Sequence, residues 1–235
     1  MIVISNLTVQ FGGVRPLDGL SAELTAPIVG LIGPNGAGKT TLLNVLSGFI
    51  TPLSGRVTID NIDLLALSPT ARVRFGLRRS FQTEQVVEDL SAFDNVRAVL
   101  DHVPHPRRAA RSAVEAALSY AGLLGLADTA GGRLNLFERR LLEVAKSLVG
   151  SPRLILMDEP AAGLNEHEAD VLKERIAGIP DSFGARVLLI DHDVELIRSI
   201  CSQALVLDFG KRLAIGETGV VLDDETVRKA YLGSE

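Results

Sequence analysis

Apolar and polar positions alternate along residues 3–11 and again along 20–24, which predicts two strands parted by the turn signals Gly12, Gly13 and Pro16. The run at 28–32, which follows Pro27, is apolar at nearly every position and predicts a strand buried on both faces. From Lys39 to Ser47 the period becomes helical. A turn-rich stretch, 51–55, precedes a short strand at 56–59 that runs into an Asp60-Asn61 turn. Beyond the RSFQ stretch at 79–82 the periodicity predicts helices over 92–100, 108–122 and 135–149, with a Pro-containing connection at 102–106. Short apolar runs then return at 153–158, 186–191 and 204–208, separated by helical segments, as in parallel strands with crossover helices. A short helix is expected over 226–235, ending at Gly233. The pattern predicts an α/β chain, one domain of 1–235, in which a sheet core of 1–82 and 153–235 carries a helical insertion at 83–152.

Composition narrows the classes of function. The chain has 235 residues, 46% of them hydrophobic and 23% charged, as folded globular domains do. A net charge of −5 offers no basic field for a phosphate backbone, so nucleic acid is not the expected partner. The single cysteine, Cys201, lies in an apolar stretch and reads as a buried filler in a reducing compartment. The first residues alternate like a strand and lack the pattern of a signal peptide. No apolar run is long enough to span a bilayer, since Glu115 and Asp128 interrupt 113–130; a membrane role would need other chains as anchors.

The chemistry concentrates first in residues 33–41, GPNGAGKTT. Gly33, Gly38, Lys39 and Thr40 fit the phosphate-binding loop pattern, between a predicted strand and a predicted helix. Gly33, Pro34, Asn35, Gly36, Ala37 and Gly38 would form the cradle, because glycines let successive N–H groups converge on phosphate oxygens. Lys39 would place its charge between the β and γ phosphates. Thr40 would offer a hydroxyl to Mg²⁺, and Thr41 continues the first turn of the helix. The second concentration is LILMDEP, 154–160. Its strand carries Asp158 to the carboxyl end, where it would hold Mg²⁺ through water. The adjacent Glu159 would orient or deprotonate an attacking water.

These two motifs, Gln82 at the entrance to the helical insertion, and His192 after RVLLID stand in one order along the chain. That order resembles the ATP-binding-cassette ATPases of transporters, over essentially the full chain. The resemblance implies a P-loop NTPase core of mainly parallel sheet, an N-terminal antiparallel β subdomain and an inserted α-helical subdomain. It implies that Phe11 stacks on adenine, that Gln82 touches Mg²⁺ or the attacking water, and that His192 reaches the γ-phosphate and steadies Glu159. ATP and Mg²⁺ are the implied ligands. Integral membrane permease subunits and a second ATPase subunit are the implied partners, placing the chain peripherally on the cytoplasmic face of the inner membrane. His102, His105 and His167 match no motif, and Arg107, Arg108 and Arg111 read as a solvated face.

One stretch departs from the family's LSGGQ signature: residues 134–138 read LNLFE. Asn135 replaces a serine and can still cap a helix. Leu136 and Phe137 stand where two glycines let the backbone approach the nucleotide of the other subunit. Asn165, in AAGLN, occupies a position where many family members carry aspartate. The expectation is normal ATP binding at this chain's P-loop with a signature edge, Asn135 and Phe137 included, that supports weaker hydrolysis or is only structural, a pattern that favours a heterodimer over a homodimer. RSFQ, RRLLEVAKSL, DEPAAGLN, LLIDHD and AYLG resemble the ATPases of branched-chain or hydrophobic amino acid importers. Urea-type importers and lipopolysaccharide exporters share similar segments. A nucleic-acid-linked ATPase and a regulatory module without turnover are the alternatives from other classes.

Overall fold

The computed structural model of the chain describes residues 1–232, apart from the side chains of Arg107, Tyr231 and Leu232. In chain order the elements are β1 (Ile2–Phe11), β2 (Val14–Leu24), β3 (Ile28–Ile32), α1 (Lys39–Ser47), β4 (Ser54–Ile59), β5 (Ile62–Asp63), α2 (Pro69–Phe75) and β6 (Leu77–Arg79). Then come α3 (Ala92–Leu100), α4 (Ala110–Ala121), α5 (Leu136–Leu148), β7 (Leu154–Asp158), α6 (Glu166–Ala177), α7 (Ile179–Phe183) and β8 (Arg186–Ile190). The chain finishes with α8 (Val194–Ile200), β9 (Gln203–Asp208), β10 (Lys211–Glu217), α9 (Thr218–Asp223) and α10 (Glu225–Val227), followed by a π-helical turn at Arg228–Leu232. The predicted helix end at Gly233 lies outside the described residues. Packing divides the chain into two compact units: Met1–Arg72 together with the chain from Leu188 onward, and Val73–Val187.

The first unit holds an antiparallel sheet in the order β2-β1-β4-β5. Its buried face comes from Ile2, Ile4, Leu7 and Val9 of β1; the switch from even to odd positions falls at Asn6, whose φ of 48° marks a register shift. Pro16 does not end the first hairpin as its turn propensity suggested. It lies inside β2, which is the edge strand, where a residue without an N–H leaves no ladder bond unmade. Asp60 and Asn61, with φ of 48° and 68°, join β4 to β5 by a turn whose twist matches the strands. The same unit contains β3, buried at all five positions and parallel to β9. Gly30 lets α8 come close to β3: a Cβ there would sit 2.8 Å from Cγ2 of Ile197. Helix α1 ends at Gly48, whose φ of 86° turns its N–H back to the carbonyls of Asn44 and Val45. Arg72 closes that helix end, donating to the Val45 and Leu46 carbonyls at 2.5 and 2.9 Å.

The second unit is built around α3, α4 and α5, which bury Val96, Leu100, Val114, Leu118, Leu142 and Ala145. Ser91 caps α3 by accepting from the Asp94 N–H. Strands β6 and β7 pair in parallel, with Leu77 opposite Leu154. Arg78 is buried and gathers the carbonyls of Val73, Leu77, Val149 and Gly150. Burial lowers its pKa to about 10, which still leaves it cationic at neutral pH. Strands outside the antiparallel sheet thus pair mainly in parallel, and the chain is α/β.

Candidate functional site

The first unit carries the loop between β3 and α1. Gly33 and Gly38 have φ of 150° and 103°, and their missing side chains are required for space as well as conformation. A Cβ on Gly33 would lie 2.2 Å from the Leu207 carbonyl oxygen, and one on Gly38 would lie 2.2 Å from that of Pro16. Gly36, at φ 81°, faces open space. The loop is closed by an Ala37 N–H to Pro34 O bond of 3.1 Å, and Gly210 donates its N–H to the Ala37 carbonyl at 3.1 Å. The ammonium of Lys39 is buried across the loop, donating to the Gly33 and Pro34 carbonyls at 2.5 and 3.0 Å. No side chain caps α1 at Gly38, so its first turn presents backbone N–H groups and the positive end of its dipole. Glycine conformation, cation and helix start together fit a chain of phosphates. Thr40 is exposed at the head of α1, and Thr41 is half-buried.

Phe11, at the end of β1, is 54% exposed, which excludes a core role and leaves an aromatic face available. His192 is exposed just beyond β8. The neighbouring Asp191 is buried and accepts the Asp193 N–H at 3.0 Å, while Asp193 caps α8 through the N–H groups of Glu195 and Leu196.

The second unit carries Asp158 and Glu159. Asp158, last residue of β7, is buried, with the Arg79 guanidinium 3.7 Å from its Oδ2. Desolvation lowers the Arg79 pKa and the Asp158 charge opposes that shift. Glu159 has φ of 50°, a conformation that residues with a Cβ seldom adopt, and strain of that kind concentrates at reactive positions. The turn returns at once, because the Ala162 N–H donates to the Glu159 carbonyl at 3.2 Å. Gln82 donates its side-chain Nε2 to Oε2 of Glu159 at 2.9 Å. The structure therefore brings together two residues singled out 77 positions apart in the sequence. Within this unit the Gln82 amide oxygen and the Asp158 carboxylate are hard oxygen donors, the chemistry Mg²⁺ takes.

At the start of α5, Asn135 accepts the Glu138 N–H at 2.9 Å and Glu138 accepts the Asn135 N–H at 2.8 Å. This capping box satisfies two of the donors at the helix start internally. Leu136 is 40% exposed and Phe137 half-buried; a Cβ on Gly163 would meet Cδ2 of Leu136 at 3.1 Å. Asn165 forms a second such box with Glu168 at the head of α6. Two residues of this region carry no signal in the sequence. Arg79 looks like the polar end of a strand, and Arg140 looks like one charge among several on an amphipathic helix. Arg140 is buried, donating to the Gln82 carbonyl at 2.9 Å and the Ala162 carbonyl at 3.1 Å.

Of the groups left outside the motifs, His102 is exposed, and His105 has Nδ1 3.1 Å from the Val103 carbonyl. Arg111 is exposed and paired with Glu115 at 2.8 Å. Cys201 is buried, and desolvation pushes its thiol up to about 12. Among the described residues no helix is long and apolar enough to cross a membrane.

Residues 17–162 match the family model described as ABC transporter. The chain is 35% identical to the high-affinity branched-chain amino acid transport ATP-binding protein BraF of Pseudomonas aeruginosa, over 99% of this chain and 98% of that one. It is 33% identical to the lipopolysaccharide export system ATP-binding protein LptB of Escherichia coli K12, over 100% and 98% of the two chains. Among solved structures it resembles the ADP conformation of MJ1267, an ATP-binding cassette of an ABC transporter. That match has a TM-score of 0.87 at 27% identity and covers 100% of this chain and 99% of the other.

Proposed function

The chain belongs to the ABC transporter family as one of its ATP-binding, ATP-hydrolysing subunits, and from that premise we propose that it powers the import of branched-chain or other small amino acids. The observation that carries the catalytic part of the reading is the Gln82–Glu159 hydrogen bond beside a buried Asp158. In this reading Lys39 and the backbone of 33–38 hold the β and γ phosphates of ATP, and Phe11 receives the adenine. Mg²⁺, when bound, supplies charge neutralisation at the phosphoryl oxygens, with Thr40, Asp158 and Gln82 as the residues that would hold it. Glu159 accepts a proton from the attacking water, its carboxylate aimed by the Gln82 amide. His192 steadies the γ-phosphate.

The transport assignment is supported by the likeness to BraF along almost the whole of both chains. The similar level of identity to LptB makes lipopolysaccharide export the second reading. The partners proposed are membrane permease subunits and a second ATPase. A groove in the second unit lined by Val73, Gln85, Val87, Ala98, Val99 and His102 is apolar and suits a permease helix lying on the cytoplasmic face of the membrane. The closed capping box and bulky side chains of residues 135–138 favour a heterodimer in which another chain supplies an intact signature edge to this P-loop. Purification of the tagged chain from detergent-solubilised membranes tests all of this together. Recovery of amino acid permease subunits with a second, different ATPase is expected. Recovery of lipopolysaccharide-export subunits, or of this chain alone, would overturn the import assignment.

A further inference from the structure

We propose that Arg140 is a positioning residue for hydrolysis: one buried guanidinium on α5 clamps the two backbone segments that aim Glu159. The inference rests on the reading of Glu159 as the residue that activates water. Glu159 is held from two sides within the second unit. Its carboxylate accepts from the Gln82 side chain at 2.9 Å, and its carbonyl accepts from the Ala162 N–H at 3.2 Å. Arg140 reaches the carbonyls of those same two residues, Nη1 to Gln82 at 2.9 Å and Nη2 to Ala162 at 3.1 Å. Its Nε lies 3.0 Å from Oε1 of Glu84, an ion pair without hydrogen-bond geometry in which both side chains are largely withdrawn from water, so the two Nη bonds orient the guanidinium plane. The planar fork matters because a single cation then sets the distance between residue 82 and residue 162, and so the position of the carboxylate between them.

The Ser80 N–H donates to the Leu156 carbonyl at 2.9 Å and continues the β6–β7 pairing, which ends there, two residues before Gln82. Residues 81–90 carry no helix or strand, and Glu159 stands at a left-handed φ of 50° that needs its surroundings to hold it. Other bonds fasten the remainder of the first segment but act further along it. Lys146, also on α5, donates to the Gln85 carbonyl, and Asn95 bonds both the N–H and the carbonyl of Val87. Arg140 acts at residue 82 itself, and through one side chain it ties that residue to the turn after Glu159. Because Arg140 sits two residues beyond Glu138 of the capping box, a shift of the α5 start would be felt at Glu159 through this side chain.

The test uses the transporter assembly purified through a tag on this chain, comparing Arg140→Ala, Gln82→Ala, the double variant and Glu159→Gln. Arg140→Ala is expected to lower kcat about tenfold or more while the nucleotide Kd stays within about twofold. Adding Gln82→Ala should cost little beyond either single change, because both act on one carboxylate. Arg140→Lys, which keeps the charge but not the fork, should recover only part of kcat and serves as the comparison if the alanine variant does not accumulate. Unchanged kcat in both Arg140 variants, with turnover abolished by Glu159→Gln, would overturn the inference and leave the ATPase reading standing. Full turnover in Glu159→Gln would remove the reading of Glu159 as the water-activating residue, and this inference with it.

Discussion

Gln82 and Glu159 meet through a hydrogen bond of 2.9 Å, donated by the amide Nε2 to the carboxylate Oε2. The bond fixes which way the carboxylate turns, and it leaves the amide oxygen facing away from the donor nitrogen to serve a cation or a water. Replacing Glu159 by Gln keeps the shape but removes the base. ATP hydrolysis by the assembled transporter should fall by about 10²-fold or more, while nucleotide affinity, which depends on Lys39 and the loop at 33–38, should change little. Steady-state turnover and equilibrium nucleotide titration of the same preparation check the split.

The three glycines of the phosphate loop should not be equally sensitive. At Gly38 a methyl group would lie 2.2 Å from the Pro16 carbonyl oxygen, with φ at 103°, so backbone would have to move. At Gly36 the φ of 81° is strained for alanine, but the space is open. Gly38→Ala is expected to destabilise the protein by about 3 kcal/mol and to abolish nucleotide binding, whereas Gly36→Ala should cost about 1 kcal/mol. Urea unfolding of the two variants gives the order, and equal losses would contradict it.

Much of this loop and its flanks is legible in the chain itself because hard local signals bound them. Strand β3 is preceded by Pro27 and followed by Gly33, α1 is ended by Gly48, and α3 is started by Ser91, so their limits follow from turn and cap chemistry. Strand β10 was not legible: Lys211–Glu217 is mostly half-buried, and an alternation between two half-exposed faces gives little contrast. The first half of β2 was hidden for a different reason. Proline propensity records the missing N–H, whereas at a sheet edge that absence is harmless. Asp158 and Glu159 announce themselves by motif, but Arg140 does not, since its partners are carbonyls 58 and 22 positions away that carry no side-chain signature.

Phe209 illustrates a local choice that works against stability. It occupies the β9–β10 turn with φ of 42° and is 86% exposed, so it carries the strain of a left-handed residue and gains little burial. Asparagine tolerates that conformation far better. Phe209→Asn should raise stability by about 0.5–1 kcal/mol, read as a higher urea midpoint at unchanged m-value. A lower midpoint would mean that the ring makes a stabilising contact despite its exposure.

Cys201 supplies a prediction in pH. The thiol packs near β3, where a Cβ on Gly30 would lie 3.4 Å from its Sγ, and burial raises its pKa from 9.0 to about 12. Between these values the unfolded chain has lost the thiol proton and the folded chain keeps it, so the folded state binds more protons and stability falls as pH rises. The contribution is fully present below pH 9.0 and is lost progressively toward pH 12. Its full size is on the order of a few kcal/mol, since each tenfold difference in proton affinity between the folded and unfolded chain is worth about 1.4 kcal/mol. Cys201→Ala should remove this component and flatten the alkaline limb, even though the lost sulfur leaves a small cavity that lowers stability by about 1 kcal/mol at neutral pH. Unfolding midpoints measured for both proteins from about pH 8 to about pH 11, where the two titrations separate, decide the matter. Parallel curves would show that the alkaline loss arises elsewhere, for instance from the lysines, and that the thiol is not desolvated as its packing against β3 implies.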